Sequence, residues 1–252
     1  HRIDKMIVNP SHAMKIAFGE NPKRVYKGLG MSPQTRLAVA AELRNILTKT
    51  KEYLAGIEAA GDDLSKLPKY NNKLEAMIPV IKREIPLKAH AHRADDIFTA
   101  IRIAKEFNLK LTLDHCSDGH LIVEELVEEG YDAIVGPTFG HKTKYETKNK
   151  TFETPGILQK AGVRVAIMTD HPVIPVQYLP MMAGLSAKAG MSRFEALKAI
   201  TINPAEILGI SDRVGTIEVG KDADLVLMNG HPFELDAKVD FTFVEGKVAY
   251  KA

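Results

Sequence analysis

Residues 86–115 open with Pro86-Leu87-Lys88-Ala89-His90 and close with Lys110-Leu111-Thr112-Leu113-Asp114-His115. Between these two short runs, residues 94–107 place Ile97, Ile101 and Ala104 on one face of a helical repeat. A strand, a helix and a second strand in that order form the crossover unit that parallel strands require. Working outward, residues 121–129 read as a helix and 132–136 as a strand, followed by a polar loop that runs to Thr154. A short helix over 155–161 then precedes a β-branched run, 163–170, that ends on Asp170. Upstream, residues 12–18 form the first strand candidate, closed by Gly19 and followed by a Pro/Gly-punctuated loop. Ser32-Pro33 supplies a helix-start signal for a long pattern through Leu37, Ala41, Leu43, Leu47 and Leu54, and a second helix covers 69–84. Further helical patterns cover 179–189, 193–200 and 204–208. Five such βα units predict an α/β fold built as part of a (β/α)₈ barrel.

From Val214 the rhythm changes to short strands: residues 215–217, 223–228, 239–244 and 247–250. Glu245-Gly246 between the last two is a hairpin signal. The expected division is therefore a partial barrel over 1–212 and a small antiparallel β segment over 213–252.

Composition narrows the function classes. The 252 residues hold 34 Lys+Arg and 32 Asp+Glu, a formal charge of +2, so no nucleic-acid or other polyanion partner is expected. No apolar run reaches the roughly 20 residues that span a bilayer. The single cysteine, Cys116, excludes an internal disulfide framework and fits the reducing cytoplasm. The chain begins at His1 without an initiator Met, which suggests a truncated sequence.

The chemistry is carried by position. Catalytic groups of a βα barrel gather at the C-terminal ends of its strands, and three strand candidates end on metal-ligand types: His90, His115 and Asp170. Imidazole and carboxylate suit a divalent metal such as zinc, one ion or two, and three protein ligands leave room for water. Asp170 could also act as general base, accepting a proton from the activated water and returning it to the leaving group. A plainer role for Asp170 is that of a turn residue before Pro172. Lys15, on the first strand candidate, is a fourth metal candidate: a lysine buried there would have a reactive neutral amine open to carboxylation, whereas one facing outward would simply snorkel. His92 shares a strand face with His90 and is a candidate for contacting substrate or metal. His120, His141 and His171 are substrate-binding candidates, each also readable as a surface loop residue. Cys116 is expected to pack rather than react.

On these residues the chain resembles the amidohydrolase superfamily, in its imidazolonepropionase-like and prolidase-like branch. The matches are Lys88-Ala89-His90-Ala91-His92, Asp114-His115, Thr169-Asp170-His171-Pro172, the segment from Ala196 to Ala205, and Gly215-Thr216-Ile217-Glu218-Val219-Gly220-Lys221-Asp222-Ala223-Asp224-Leu225-Val226. The last resembles the return into a β-sandwich and is the most specific. The resemblance implies barrel strands four to eight, with Lys15 on the fourth, His90 and His115 on the fifth and sixth, and Asp170 on the eighth. It further implies a metal-dependent hydrolase of C–N bonds in small amides or cyclic amides, with Lys15 carboxylated where two metals are bound.

One departure stands out. The family's His-x-His pair at the first barrel strand has no counterpart before Lys15, and neither His1 nor His12 supplies it. A barrel without its first strands would expose two unpaired edges. The expectation is weak metal binding unless a complementing N-terminal segment or a second copy completes the site. The alternatives are a catalytically silent scaffold chain and a deaminase or isomerase using the same residues.

Overall fold

The computed structural model describes residues 2–252. The chain divides into two compact units, one of residues up to Ala91 together with Asp95–Thr112, the other of His92–Ala94 and Leu113–Ala252.

In the first unit, β1 (Met14–Ala17) pairs in parallel with β2 (Leu87–Ala91), setting Lys15 beside Lys88 and Ala17 beside His90. Between them lie α1 (Glu20–Gly28), α2 (Arg36–Ala60) and α3 (Asn72–Ile81). The α1 helix occupies the stretch whose Pro and Gly residues read as a loop. Pro22 is compatible with it because the first helical turn needs no N–H donor there. The long helix begins at Thr35 rather than Ser32: the Thr35 hydroxyl accepts the Ala38 N–H at 3.1 Å. Asn71 caps α3 in the same way. Helix α2 packs along α3, with Leu47 and Val80 fully buried.

The helix α4 (Ala94–Glu106) follows β2 and leads to β3 (Leu111–His115). Asp96 in its first turn is almost fully buried and pairs with Arg36 at 3.0 Å. Both its carboxylate oxygens receive the Arg36 Nε–H, at 3.1 and 3.0 Å. Leaving a partly buried guanidinium without its counter-charge is expensive. Asp96→Asn is therefore expected to lower stability by about 2 to 3 kcal/mol, measured by urea unfolding. By contrast, removing the exposed Arg44–Glu106 pair should change it by under about 1 kcal/mol.

The second unit continues with α5 (Val123–Glu129), β4 (Asp132–Val135), α6 (Thr154–Lys160) and β5 (Val165–Ile167). The five strands form one sheet in the order β1-β2-β3-β4-β5. Strand β5 pairs in parallel with β4 and is only three residues long, although the β-branched run extends over 163–170. The chain turns away beyond Ile167, and Asp170 sits in that turn with φ +51°. The outer side of β5 is not an open edge. Ile167 N–H donates to the Ala199 carbonyl at 2.9 Å, and the Asn203 side-chain amide donates to the Val165 carbonyl at 2.8 Å. The expectation of an unpaired edge thus fails on this side, because a helical segment supplies the partners a strand would. That segment comprises α7 (Leu179–Lys188), α8 (Arg193–Lys198) and α9 (Ile202–Ile207). Its core joins Ile167 to Met182, Ala183, Met191, Ala196 and Ala199.

The tail forms a separate antiparallel sheet of β6 (Leu225–Met228), β7 (Val239–Val244) and β8 (Lys247–Lys251). Glu245 and Gly246 both have positive φ, +49° and +72°, as the two-residue hairpin turn demands. Residues 215–217 are not a strand. Gly215 has φ +102°, and a Cβ there would come within 2.9 Å of the Ile202 backbone. No helix among the described residues is long and apolar enough to cross a membrane.

Candidate metal centre

The strands deliver their histidines as the patterning implies. His90 is the fourth residue of β2 and His115 the last of β3, while His92 lies just past the end of β2. All three are buried, and their ligand atoms lie within 4.8 Å of one another. The rings of His92 and His115 are 4.5 Å apart, tilted by 32°.

Each ring is held by a neighbour. His115 Nδ1 is 2.7 Å from the Gly136 carbonyl, which can only accept, so Nδ1 carries the proton and the lone pair of the neutral ring is on Nε2. His92 Nδ1 meets the Ser117 hydroxyl at 2.8 Å, and His90 Nε2 meets the Asn21 amide at 3.2 Å. Such outer partners fix ring orientation and tautomer in metal sites. Ser117, Gly136 and Asn21 were not singled out by sequence. They act through local geometry that no spacing rule reveals, although a glycine at the end of a strand candidate is compatible with close backbone approach.

The backbone is strained where it turns. His115 and Cys116 adopt φ of +71° and +45°, a region that non-glycine residues seldom occupy and that clusters at functional sites. This turn directs Cys116 beneath Gly119, where a Cβ would meet its Sγ at 2.8 Å. Burial pushes the Cys116 thiol up to about 12, with the Asp118 charge adding to the effect, so it stays protonated at neutral pH.

The remaining candidates lie elsewhere. Asp170 and His171 are exposed in the turn after β5, and His141 is exposed in the loop after β4. His120 is partly buried, its Nδ1 2.9 Å from the Thr154 hydroxyl. Lys15 is exposed on β1. Thus His92, expected mainly beside substrate, joins His90 and His115. Asp170 does not belong to that cluster.

Residues 12–249 match the model of the amidohydrolase family. The chain is 23% identical over 97% of its length to the amidohydrolase TasK of Hapsidospora irregularis, covering 26% of that protein. It is 29% identical over 62% of its length to the imidazolonepropionase of Sphingopyxis alaskensis, covering 39% of it. Among solved structures, an amidohydrolase from Thermotoga maritima superposes on all of the chain with a TM-score of 0.96 at 40% identity, and the chain covers 66% of it. The chain therefore spans well under half of these two curated relatives.

Proposed function

The chain belongs to the amidohydrolase family, and from that premise we propose that it is a hydrolase, or the larger part of one, that uses a divalent metal to cleave C–N bonds of small amides or cyclic amides. The observation that carries the reading is the buried three-imidazole cluster of His90, His92 and His115. Its donor chemistry fits a divalent ion of borderline softness such as zinc, because three imidazole rings converge and the His115 tautomer leaves its Nε2 lone pair for binding. When bound, such an ion would lower the pKa of water and polarise the scissile carbonyl.

The protein's own groups then divide the work. His90, His92 and His115 would hold the ion, and the Gly136 carbonyl and Ser117 hydroxyl keep two of the rings in register. Asp170, at the end of the β5 turn, takes the proton from the attacking water and returns it to the departing nitrogen. Lys15, if carboxylated, would serve a second ion, and His120, His141 and His171 would line the route of the substrate. The sheet is proposed to be strands four to eight of a (β/α)₈ barrel, with residues 1–212 its barrel portion and 213–252 its β-sandwich portion. A cytoplasmic enzyme is the matching proposal for localisation.

Cobalt(II) provides the test, because its visible absorption reports coordination without requiring turnover. One equivalent should bind with the spectrum of a nitrogen-rich site. Asp170→Asn should retain the cobalt spectrum while hydrolysis of a matched amide panel falls by roughly 100-fold or more. A chain that takes up no cobalt would refute the hydrolase reading, and full turnover by Asp170→Asn would refute the role of Asp170.

A further inference from the structure

A cavity of about 510 Å³ lies between α7 and the connection from β6 to β7, and no residue of the imidazole cluster lines it. Met181, Gly184, Leu185 and Lys188 line it from positions i, i+3, i+4 and i+7 of α7, which places them on one helical face. The facing wall is Phe233 and Leu235, and Phe139 adds to it. Leu235 is 86% exposed and Phe139 48%, so much of this apolar lining is left to water. The size and the apolar character are those of a small-molecule site.

The wall facing α7 is held in place. Phe233 packs on Gly184 so closely that a Cβ at Gly184 would come within 3.0 Å of the Phe233 Cβ. The Phe233 N–H donates to His231 Nδ1 at 3.2 Å, and the two rings meet edge to face, 4.6 Å apart. One oxygen of Glu234 accepts the His231 N–H at 3.4 Å, and the other accepts from Arg193 at 3.3 Å. The lining itself contains two cations, Lys188 and Arg193, and no acid. Arg193 shares its charge with Glu234, whereas Lys188 has no carboxylate partner among the described residues. An ammonium group at the edge of an apolar cavity is satisfied by an oxyanion through charge-assisted hydrogen bonds.

We propose that this cavity binds an amphipathic anion, a carboxylate on an unbranched apolar chain. Lys188 takes the carboxylate, and the tail lies along Met181 and Leu185 against Phe233, Leu235 and Phe139. The site is separate from the imidazole cluster, and its binding needs neither metal nor turnover.

Octanoate, octylammonium and butanoate are the probes, below their micelle concentrations, for calorimetric titration of the whole chain with EDTA present. Octanoate should bind at least about 10-fold tighter than octylammonium, which has the same tail and the opposite charge. It should also bind at least about 10-fold tighter than butanoate, since each added methylene in an apolar cavity is worth about 3- to 4-fold. Lys188→Glu should weaken octanoate binding by about 10-fold or more, and Lys188→Arg should preserve it. Leu235→Asp, at an exposed position that folding does not need, should weaken it as well while keeping the wild-type melting temperature. Equal binding of octanoate and octylammonium overturns the proposal, as does butanoate binding as tightly as octanoate. Octanoate binding that survives Lys188→Glu overturns it too, and so does an equal loss in Lys247→Glu, which makes the same charge change on β8. A dimer in sedimentation that Leu235→Asp dissolves would show that a second copy of the chain covers this face, and would overturn it.

Discussion

Gly136→Ala is expected to destabilise the protein by more than about 4 kcal/mol, in the range reserved for a forced clash, and to weaken its metal binding at the same time. Gly136 has φ +135°, and a Cβ there would come 2.1 Å from the Met168 carbonyl oxygen. That oxygen belongs to backbone that cannot step aside cheaply, since the Met168 N–H donates to the Val135 carbonyl at 2.9 Å. The displaced atoms include the carbonyl that holds His115 Nδ1. Gly140→Ala provides the control. Its φ of +100° is also unfavourable, yet the nearest atom to a new Cβ is 3.9 Å away, so about 1 to 2 kcal/mol is expected. Urea unfolding and cobalt titration of both variants would read the two effects separately. A Gly136→Ala protein with wild-type unfolding would mean that the β4 and β5 ends are not packed as described.

The second large effect concerns the metal directly. His115→Ala should reduce cobalt affinity by well over about 100-fold, because outer partners alone are typically worth about 10- to 100-fold. Ser117→Ala, which removes only the neighbour of His92 Nδ1, should fall inside that smaller range. Stability should change far less than affinity in His115→Ala. The Gly136 carbonyl loses one donor, worth about 1 kcal/mol, and the smaller side chain does not relieve the left-handed turn at φ +71°. If cobalt binding survived His115→Ala unchanged, the imidazole cluster would not be the metal centre.

These residues differ in how far a sequence can announce them. His90 and His115 were legible because strand-end placement is a property of periodicity, and the two parallel runs around α4 are clean. His92 was only half legible. The strand stops at Ala91, so alternation no longer governs which way the next side chain points. Asp170 was read as the end of an eight-residue strand, but β5 keeps only Val165–Ile167, and the turn after it is set by long-range packing. Helix α1 was missed because Pro22 and the flanking glycines mimic a loop, and a first-turn proline is compatible with both. Gly136 and Ser117 act through a backbone carbonyl and a single hydroxyl contact, which leave no periodic trace in a sequence. The tail hairpin was legible down to its turn, since Glu245-Gly246 states its own backbone requirement.

The outermost strand, β5, has one further consequence, for motion. Its Ile167 amide is satisfied by a carbonyl at the end of α8, and its Val165 carbonyl by a side chain from α9. The amide proton of Ile167 should therefore exchange with deuterium at a rate set by opening of that helical segment, not by fraying of a sheet margin. The most peripheral strand would then be among the better protected, and its protection would be lost selectively in Asn203→Ala. In this fold the clock for the sheet's last strand is kept by a pair of short helices.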